Sequence, residues 1–328
     1  MQGICRAHAN IALIKYWGKI DEDLHIPYNN SLSLTQDSLY TDTKVRFSSD
    51  FSENIFILNG ERQSKKETAN LSAFVDIFRE KFNINLHCEI KSYNSMPTAA
   101  GFGSSASAYA ALAGAINFAL ELNLSLQDLS ILARLGSGSA CRSIFPGFVE
   151  WHKGTDNKSS FAESIDPADW GICTITVATD KSKKKLSSRL GMQASVQTSP
   201  FYELWPKIAE ASLLDIKTAI KERDIDKIGQ IAEHNALCMH SLTLSSKPAF
   251  TYFNSNTLLA MDYVKVLRKE GFTVHFTIDA GPNLVLICPE TESLEIKAKF
   301  SQAFPNANLL ISKAGKGIQR LESWNYEY

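Results

Sequence analysis

The sequence lacks the features that most quickly betray a function. Its six cysteines (Cys5, Cys88, Cys141, Cys173, Cys238 and Cys288) are scattered among 328 residues. None forms a C-x-x-C pair and none has histidine at zinc spacing, which excludes zinc modules and dithiol redox chemistry. Buried, reduced thiols in a cytosolic protein are the expectation. Charge of one sign is not in excess: 34 Lys and Arg face 35 Asp and Glu. No global field therefore recruits nucleic acid or an anionic membrane, and an anionic small substrate has to be captured by local basic residues. No apolar run approaches the roughly 20 residues needed to span a bilayer. Arg6, Lys15 and Lys19 interrupt the N-terminal apolar stretch, so it does not read as a secretory signal. A cytoplasmic location is expected. Internal repeats and low-complexity segments are missing too.

What is present is an ordinary globular composition, 44% hydrophobic and 21% charged. The length suggests two domains, and a chain of this size buries a large core without disulfides or metal. Strand-like segments are expected at 4–13, 43–47, 54–58 and 85–93, with helices at 67–82, 104–122 and 126–135. Beyond the lysine-rich stretch 181–185, read as a connection or loop, helices are expected at 200–222, 226–238 and 255–270. A hairpin at 273–278 and 284–288, a helix at 292–304 and a strand at 309–313 follow. This interleaving predicts an α+β protein of two side-by-side sandwiches, divided into residues 1–180 and 181–328.

Pro97-Thr98-Ala99-Ala100-Gly101-Phe102-Gly103-Ser104-Ser105-Ala106 carries the most local chemistry. Gly101 and Gly103 let backbone N–H groups approach a ligand closely. Ser104 or Ser105 then opens a helix whose unpaired N–H groups and dipole favour an anion. It is not a Walker A loop, because no Gly-Lys-Ser/Thr follows, and it is not a G-x-S-x-G nucleophile elbow. A plain helix cap after a glycine turn explains the segment equally well when it is taken alone.

Four further segments add to it. In Asn10-Ile11-Ala12-Leu13-Ile14-Lys15-Tyr16-Trp17-Gly18-Lys19, two lysines four apart near a strand end place two cations beside one site, with Tyr16 and Trp17 to exclude water. In Gly136-Ser137-Gly138-Ser139-Ala140-Cys141-Arg142-Ser143, hydroxyls at a second helix start suit a phosphorylated ligand. Arg142 suits a carboxylate, which it can grip with two parallel hydrogen bonds. The plainer reading makes Gly136 a helix C-cap and Ser139 an N-cap. Ser187-Ser188-Arg189-Leu190-Gly191-Met192 follows the lysine run. Asp279-Ala280-Gly281-Pro282-Asn283 presents an aspartate directly after an apolar strand, where a self-capping turn residue is the alternative.

These five segments, in this order over nearly the whole chain, resemble the diphosphomevalonate decarboxylase family within the GHMP kinase superfamily. The phosphate loop departs from the usual pattern at Phe102-Gly103 and Ser107, which leaves its Gly and Ser positions intact. The resemblance implies a two-domain GHMP-kinase-like fold with ATP, Mg2+ and 5-diphosphomevalonate meeting in the cleft between the domains, and a homodimer. It implies catalytic roles for Asp279, Lys15, Lys19, Ser105 and Arg142, and substrate contacts from Tyr16, Trp17, Lys19, Ser137, Ser139, Arg142 and Arg189. Asn94, Pro97, Thr98, Ala99, Gly101, Gly103, Ser104 and Ser105 would hold the nucleotide, with Ser105 at the metal. The rivals are a mevalonate 5-phosphate decarboxylase, a mevalonate 3-kinase, a non-catalytic nucleotide-binding homologue and, more remotely, a serine hydrolase.

Overall fold

The computed structural model describes residues 1–95, 104–180 and 186–326. In chain order its strands and helices are β1 (Gln2–Ile14), β2 (Lys19–Asp21), β3 (Ile26–Pro27), β4 (Ser31–Ser48), β5 (Ile55–Leu58), β6 (Glu61–Arg62), α1 (Lys65–Phe82), β7 (His87–Asn94), α2 (Ser104–Ala119) and α3 (Leu126–Gly136). A 3-10 helix (Gly138–Ile144) leads to β8 (Phe148–Trp151), β9 (Ala162–Asp166), β10 (Ile172–Ala178), α4 (Ser188–Thr198), α5 (Trp205–Glu222) and α6 (Ile225–Leu244). The chain closes with α7 (Ser255–Lys269), β11 (His275–Ile278), β12 (Leu284–Pro289), α8 (Glu290–Ala303), β13 (Asn308–Ser312) and β14 (Gln319–Arg320).

Two large sheets and the separate two-stranded β2–β3 hairpin result, and the expected α+β class is found. The first runs β14-β1-β4-β7-β5-β6, with β8 and β9 continuing from β4, and only the β5–β7 pairing is parallel. The second runs β11-β12-β10-β13, antiparallel throughout. Strand β10 lies ahead of the division expected between residues 180 and 181, yet it pairs with β12 and β13 of the second sheet.

β1 is buried along almost its whole length because it serves two cores. Cys5 and Ala7 pack under α2 and α3, whereas Ile11, Leu13 and Ile14 pack with Trp205, Ile216 and Met239 of α5 and α6. The register slips against β4 after His8 and again after Ala12, turning the strand from one core toward the other. Small residues let α2 lie hard against the sheet. A Cβ on Gly3 would stand 2.3 Å from the Ala115 carbonyl oxygen, and one on Gly114 would stand 2.4 Å from Cys5 Sγ. Neither contact is physically possible without a shift of backbone or strand.

Local signals account for most boundaries. Ser64 and Glu67 form a capping box on α1, and Asn83 ends it in the left-handed region at φ 59°. Asp224 caps α6 by accepting from the Lys227 N–H. That helix runs on to Leu244, past the end expected at residue 238. The helix expected from residue 200 begins at Trp205 instead, after a 3-10 turn at Tyr202–Leu204, with Pro206 in its first turn. Helix α4 and strand β10 were not anticipated. All six cysteines are free, and all but the half-buried Cys238 are buried. No helix among the described residues is long and apolar enough to cross a membrane.

Candidate active site

Strand β1 ends at Ile14, and the next residue is a lysine with only 2% of its side chain exposed. Burying an ammonium group is costly unless it is paired. Lys15 Nζ donates to the Ala12 carbonyl at 2.7 Å and to Asp279 Oδ1 at 2.5 Å. Asp279 stands just beyond β11, so this ion pair joins residues 264 positions apart. Two asparagines fix the lysine backbone: Asn235 Oδ1 accepts its N–H and Asn29 Nδ2 donates to its carbonyl, both at 2.8 Å. Asn29 is steadied in turn by the Trp205 indole N–H at 3.1 Å. Burial pushes the Lys15 pKa down, Asp279 opposes that shift, and Arg142 adds to it. Nearby His240 is held neutral by burial and by Lys15, with its pKa down at about 3.

Arg142 comes from the 3-10 helix and is 2% exposed. It donates to Ser33 Oγ at 3.0 Å, to Ser31 Oγ at 2.5 Å and to Asn10 Oδ1 at 3.4 Å. All three partners are neutral, so among the described residues no carboxylate hydrogen-bonds to this fully buried guanidinium, and Asp279 acts on it only through space. Such an arrangement is stable only at a cost, and it leaves the cation ready for an incoming anion.

These groups open on a cleft of about 630 Å³. Lys15, Tyr16, Trp17, Lys19, Ser104, Ser105, Ser137, Ser139, Arg142, Arg189 and Asp279 all line it. Four cations line it, against Asp279 on the wall and Glu22 beside it, an excess of positive charge suited to a polyanion. The N-termini of α2 and α4 reach the same wall through Ser104, Ser105, Ser187 and Ser188, adding their dipoles in the same sense. Lys19 Nζ and Arg189 Nη2 both reach Glu22, at 3.1 and 3.5 Å. The Tyr16 hydroxyl and the Trp17 indole N–H are buried without a partner among the described residues. Tyr16 leans edge-on against Trp151 at 4.8 Å. Gly18, at φ 102°, makes the turn out of β1, where a Cβ would collide with Tyr202 Oη.

Most site residues expected from the sequence thus share one cleft, but two expected helix caps need correction. Asn94, expected at the nucleotide, precedes the 96–103 segment that lies outside the described residues. It sits buried in β7, accepting from Thr41 Oγ1 at 2.8 Å. Gly136 is the last residue of α3 rather than a C-cap, with Tyr109 packed where its Cβ would be. Ser139 is not an N-cap. Ser137 precedes the 3-10 helix without a side-chain cap, and its Oγ lies 3.4 Å from both Ser105 Oγ and Ser139 Oγ. Pro97, Thr98, Ala99, Gly101 and Gly103 fall outside the described residues, as does the 181–185 lysine run. The sequence reading missed Glu22, His25, Asn235 and Met239. Asn235 and Met239 lie within a helical repeat where nothing marks them as more than packing.

For Mg2+, the described residues offer no group of three or more His, Cys, Asp or Glu side chains. An ion held mostly by phosphate oxygens and water needs only one or two protein oxygens. Ser105 and Asp279 supply oxygens on the cleft wall.

Two α+β halves and a cationic cleft reached by the N-termini of two helices are the frame of an ATP-dependent small-molecule enzyme of the GHMP-kinase type. Residues 7–162 match the diphosphomevalonate decarboxylase-like N-terminal domain, and residues 173–324 match the mevalonate 5-diphosphate decarboxylase C-terminal domain. The chain is 36% identical to the diphosphomevalonate decarboxylases of Ganoderma lucidum and Homo sapiens, covering 93% and 92% of this chain and 83% and 80% of theirs. Among solved structures, the Staphylococcus aureus mevalonate diphosphate decarboxylase superposes with a TM-score of 0.94 at 43% identity, covering 98% of each chain. The Enterococcus faecalis enzyme gives 0.92 at 44% identity, covering 98% of this chain and 99% of that one. A complex of MDDEF with MVAPP, AMPPCP and magnesium gives 0.93 at 44%, with the same coverage. The chain belongs to the diphosphomevalonate decarboxylase family.

Proposed function

We propose that this cleft binds 5-diphosphomevalonate beside ATP and Mg2+ and converts it to isopentenyl diphosphate, ADP, phosphate and carbon dioxide. The observation that carries the reading is the Lys15–Asp279 pair next to an Arg142 that hydrogen-bonds to no carboxylate among the described residues. One side of the site is thus set to handle a hydroxyl and the other to hold a carboxylate.

Roles follow from charge and position. Arg142 clamps the substrate carboxylate, and Asp279, steadied by Lys15, orients the C3 hydroxyl and accepts its proton. Phosphoryl transfer needs positioning and neutralisation above all. Ser104, Ser105 and the α2 N-terminus supply these for the nucleotide phosphates, and Ser105 would help hold the metal. Mg2+, when bound, neutralises charge on the phosphates. Once C3 is phosphorylated, its C–O bond breaks and the phosphate departs. The cation developing at C3 is stabilised by the Asp279 carboxylate. The bond from the adjacent carbon to the carboxyl group then breaks, its electron pair forms the alkene, and carbon dioxide leaves the Arg142 clamp. Lys19, Arg189, Tyr16, Trp17, Ser137 and Ser139 hold the diphosphate and the rest of the substrate. We further propose cytoplasmic homodimers, and a functional division of the chain ahead of Ile172, so that β10 stays with its own sheet.

Product analysis tests the reading. Purified protein with ATP and Mg2+ should release carbon dioxide and ADP in equal amounts from 5-diphosphomevalonate, and far less from the 5-monophosphate. ADP formation without carbon dioxide would make the protein a kinase instead.

A further inference from the structure

One wall residue plays no part in the scheme above. His25 lies in the turn between β2 and β3 and lines the cleft together with Tyr16, Lys19 and Arg189. Its backbone is in the left-handed region, at φ 53°, which few side chains occupy without a compensating contact. The contact is specific: Nδ1 lies 2.8 Å from the Arg134 carbonyl oxygen. A carbonyl only accepts, so Nδ1 carries the proton. That leaves Nε2 with no partner among the described residues, and Nε2 is not among the enclosed, unpartnered atoms of the molecule.

We propose that His25 is a further substrate-binding residue, whose Nε2 takes up a proton as 5-diphosphomevalonate enters and donates it in a hydrogen bond to the diphosphate. The proposal rests on the reading that the diphosphate lies over Lys19 and Arg189. Several charged groups surround the ring. Lys19, Asp21 and Glu22 come from its own hairpin, Arg134 from α3, and Arg189 reaches in from α4 through Glu22. Without ligand, burial, Lys19 and Arg134 hold the imidazole pKa below its ordinary value, against the Arg134 carbonyl hydrogen bond and Glu22. The ring is therefore neutral at pH 7. A diphosphate beside Lys19 reverses the balance by adding negative charge within hydrogen-bond range. The Arg134 carbonyl belongs to the last turn of α3, where the helix dipole also favours an imidazolium. Glu22, which now occupies both Lys19 and Arg189, is the anion the diphosphate replaces.

The test compares wild type with His25→Asn, since asparagine tolerates left-handed backbone and keeps an amide donor for the Arg134 carbonyl but does not titrate. KM for 5-diphosphomevalonate and kcat are measured from pH 6 to 8.5. The protonated ring contributes below its liganded pKa and is lost as pH rises. The variant should show KM raised about tenfold at pH 6.5, with the two curves converging by pH 8.5 and kcat changed far less. Calorimetry of substrate binding in two buffers of different ionisation enthalpy should show proton uptake that the variant lacks. Equal KM profiles and equal proton uptake would overturn the proposal. If His25→Asn is unstable, His25→Gly, which suits the same backbone, carries the comparison. Arg189→Met separates the failures. If Arg189→Met raises KM while His25→Asn changes nothing, only the role of His25 is wrong. If neither variant changes KM, the diphosphate lies elsewhere and the reading beneath it falls as well.

Discussion

Arg142 and Asp279 make opposite demands on the fold, and substitution separates them. Arg142 is desolvated and, among the described residues, hydrogen-bonds only to neutral partners, so replacing it removes a buried charge rather than a salt bridge. Arg142→Met is expected to abolish most decarboxylation while thermal melting stays level or rises. A melting temperature lowered as far as by a large core deletion would mark a structural arginine. Asp279 is one third exposed and directly paired. Asp279→Asn should lower kcat by roughly 10²- to 10⁴-fold, the range for a lost general base, with KM for ATP little changed. His240 gives a prediction about pH. Its folded pKa of about 3 lies well below the ordinary histidine value. Between those two values the unfolded chain binds a proton that the folded chain refuses. The contribution is therefore whole above the ordinary value and is lost progressively as pH falls toward 3. Replacing His240 with Gln should flatten the fall in melting temperature between pH 6.5 and 4, by comparison with wild type. Residue identities at the site were largely legible, because the segments around Lys15, Arg142, Arg189 and Asp279 resemble those of a known family. Their partners were not. Nothing adjacent in sequence ties Asn235 to Lys15, and Asn29, Ser31 and Ser33 stand in the Pro27–Ser33 segment after the opening lysines with no partner written beside them. His25 and Glu22 lie in a short turn whose composition fits any hairpin.

At the scale of elements, the β2–β3 hairpin and α4 meet through a carboxylate. Glu22 is the anion between Lys19 and Arg189, and Arg189 is largely exposed, so the contact adds little stability. Glu22→Gln should free both cations and lower KM for 5-diphosphomevalonate about two- to fivefold, the scale of one exposed ion pair, without a marked change in melting. A higher KM would show that Glu22 positions Lys19 instead of competing for it. Periodicity revealed α1, α3 and the last helices within a few residues, since each carries a cap or an apolar stripe. It failed at α4, whose run Ser188–Thr198 is polar and buries only Gly191, Met192 and Ser195. It failed also at β10, where every residue is buried and alternation therefore vanishes. The 3-10 helix at Gly138–Ile144 looked like a capped α-helix because its glycines and serines serve both forms.

For the molecule as a whole, the two sheets are not separable folding units. The second core cluster combines Ile11, Leu13 and Leu32 of the first sheet with Trp205, Ile216, Val285 and Ile287 from the later half of the chain. Heat or denaturant should therefore unfold the protein in a single transition, with far-ultraviolet and near-ultraviolet signals coinciding. Two resolved steps would mean that this shared core is weaker than its burial implies. Five short segments from across the sequence announced the cleft, but their meeting depends on this long-range packing, which no local pattern encodes. β1 acts as a fixed axle. It is gripped by one core at Ala7 and by the other at Ile14, and it releases Lys15 only after both. The position of the ammonium group is thus set by the packing of both halves of the chain at once, so a cavity opened in either core should be felt at the reacting centre.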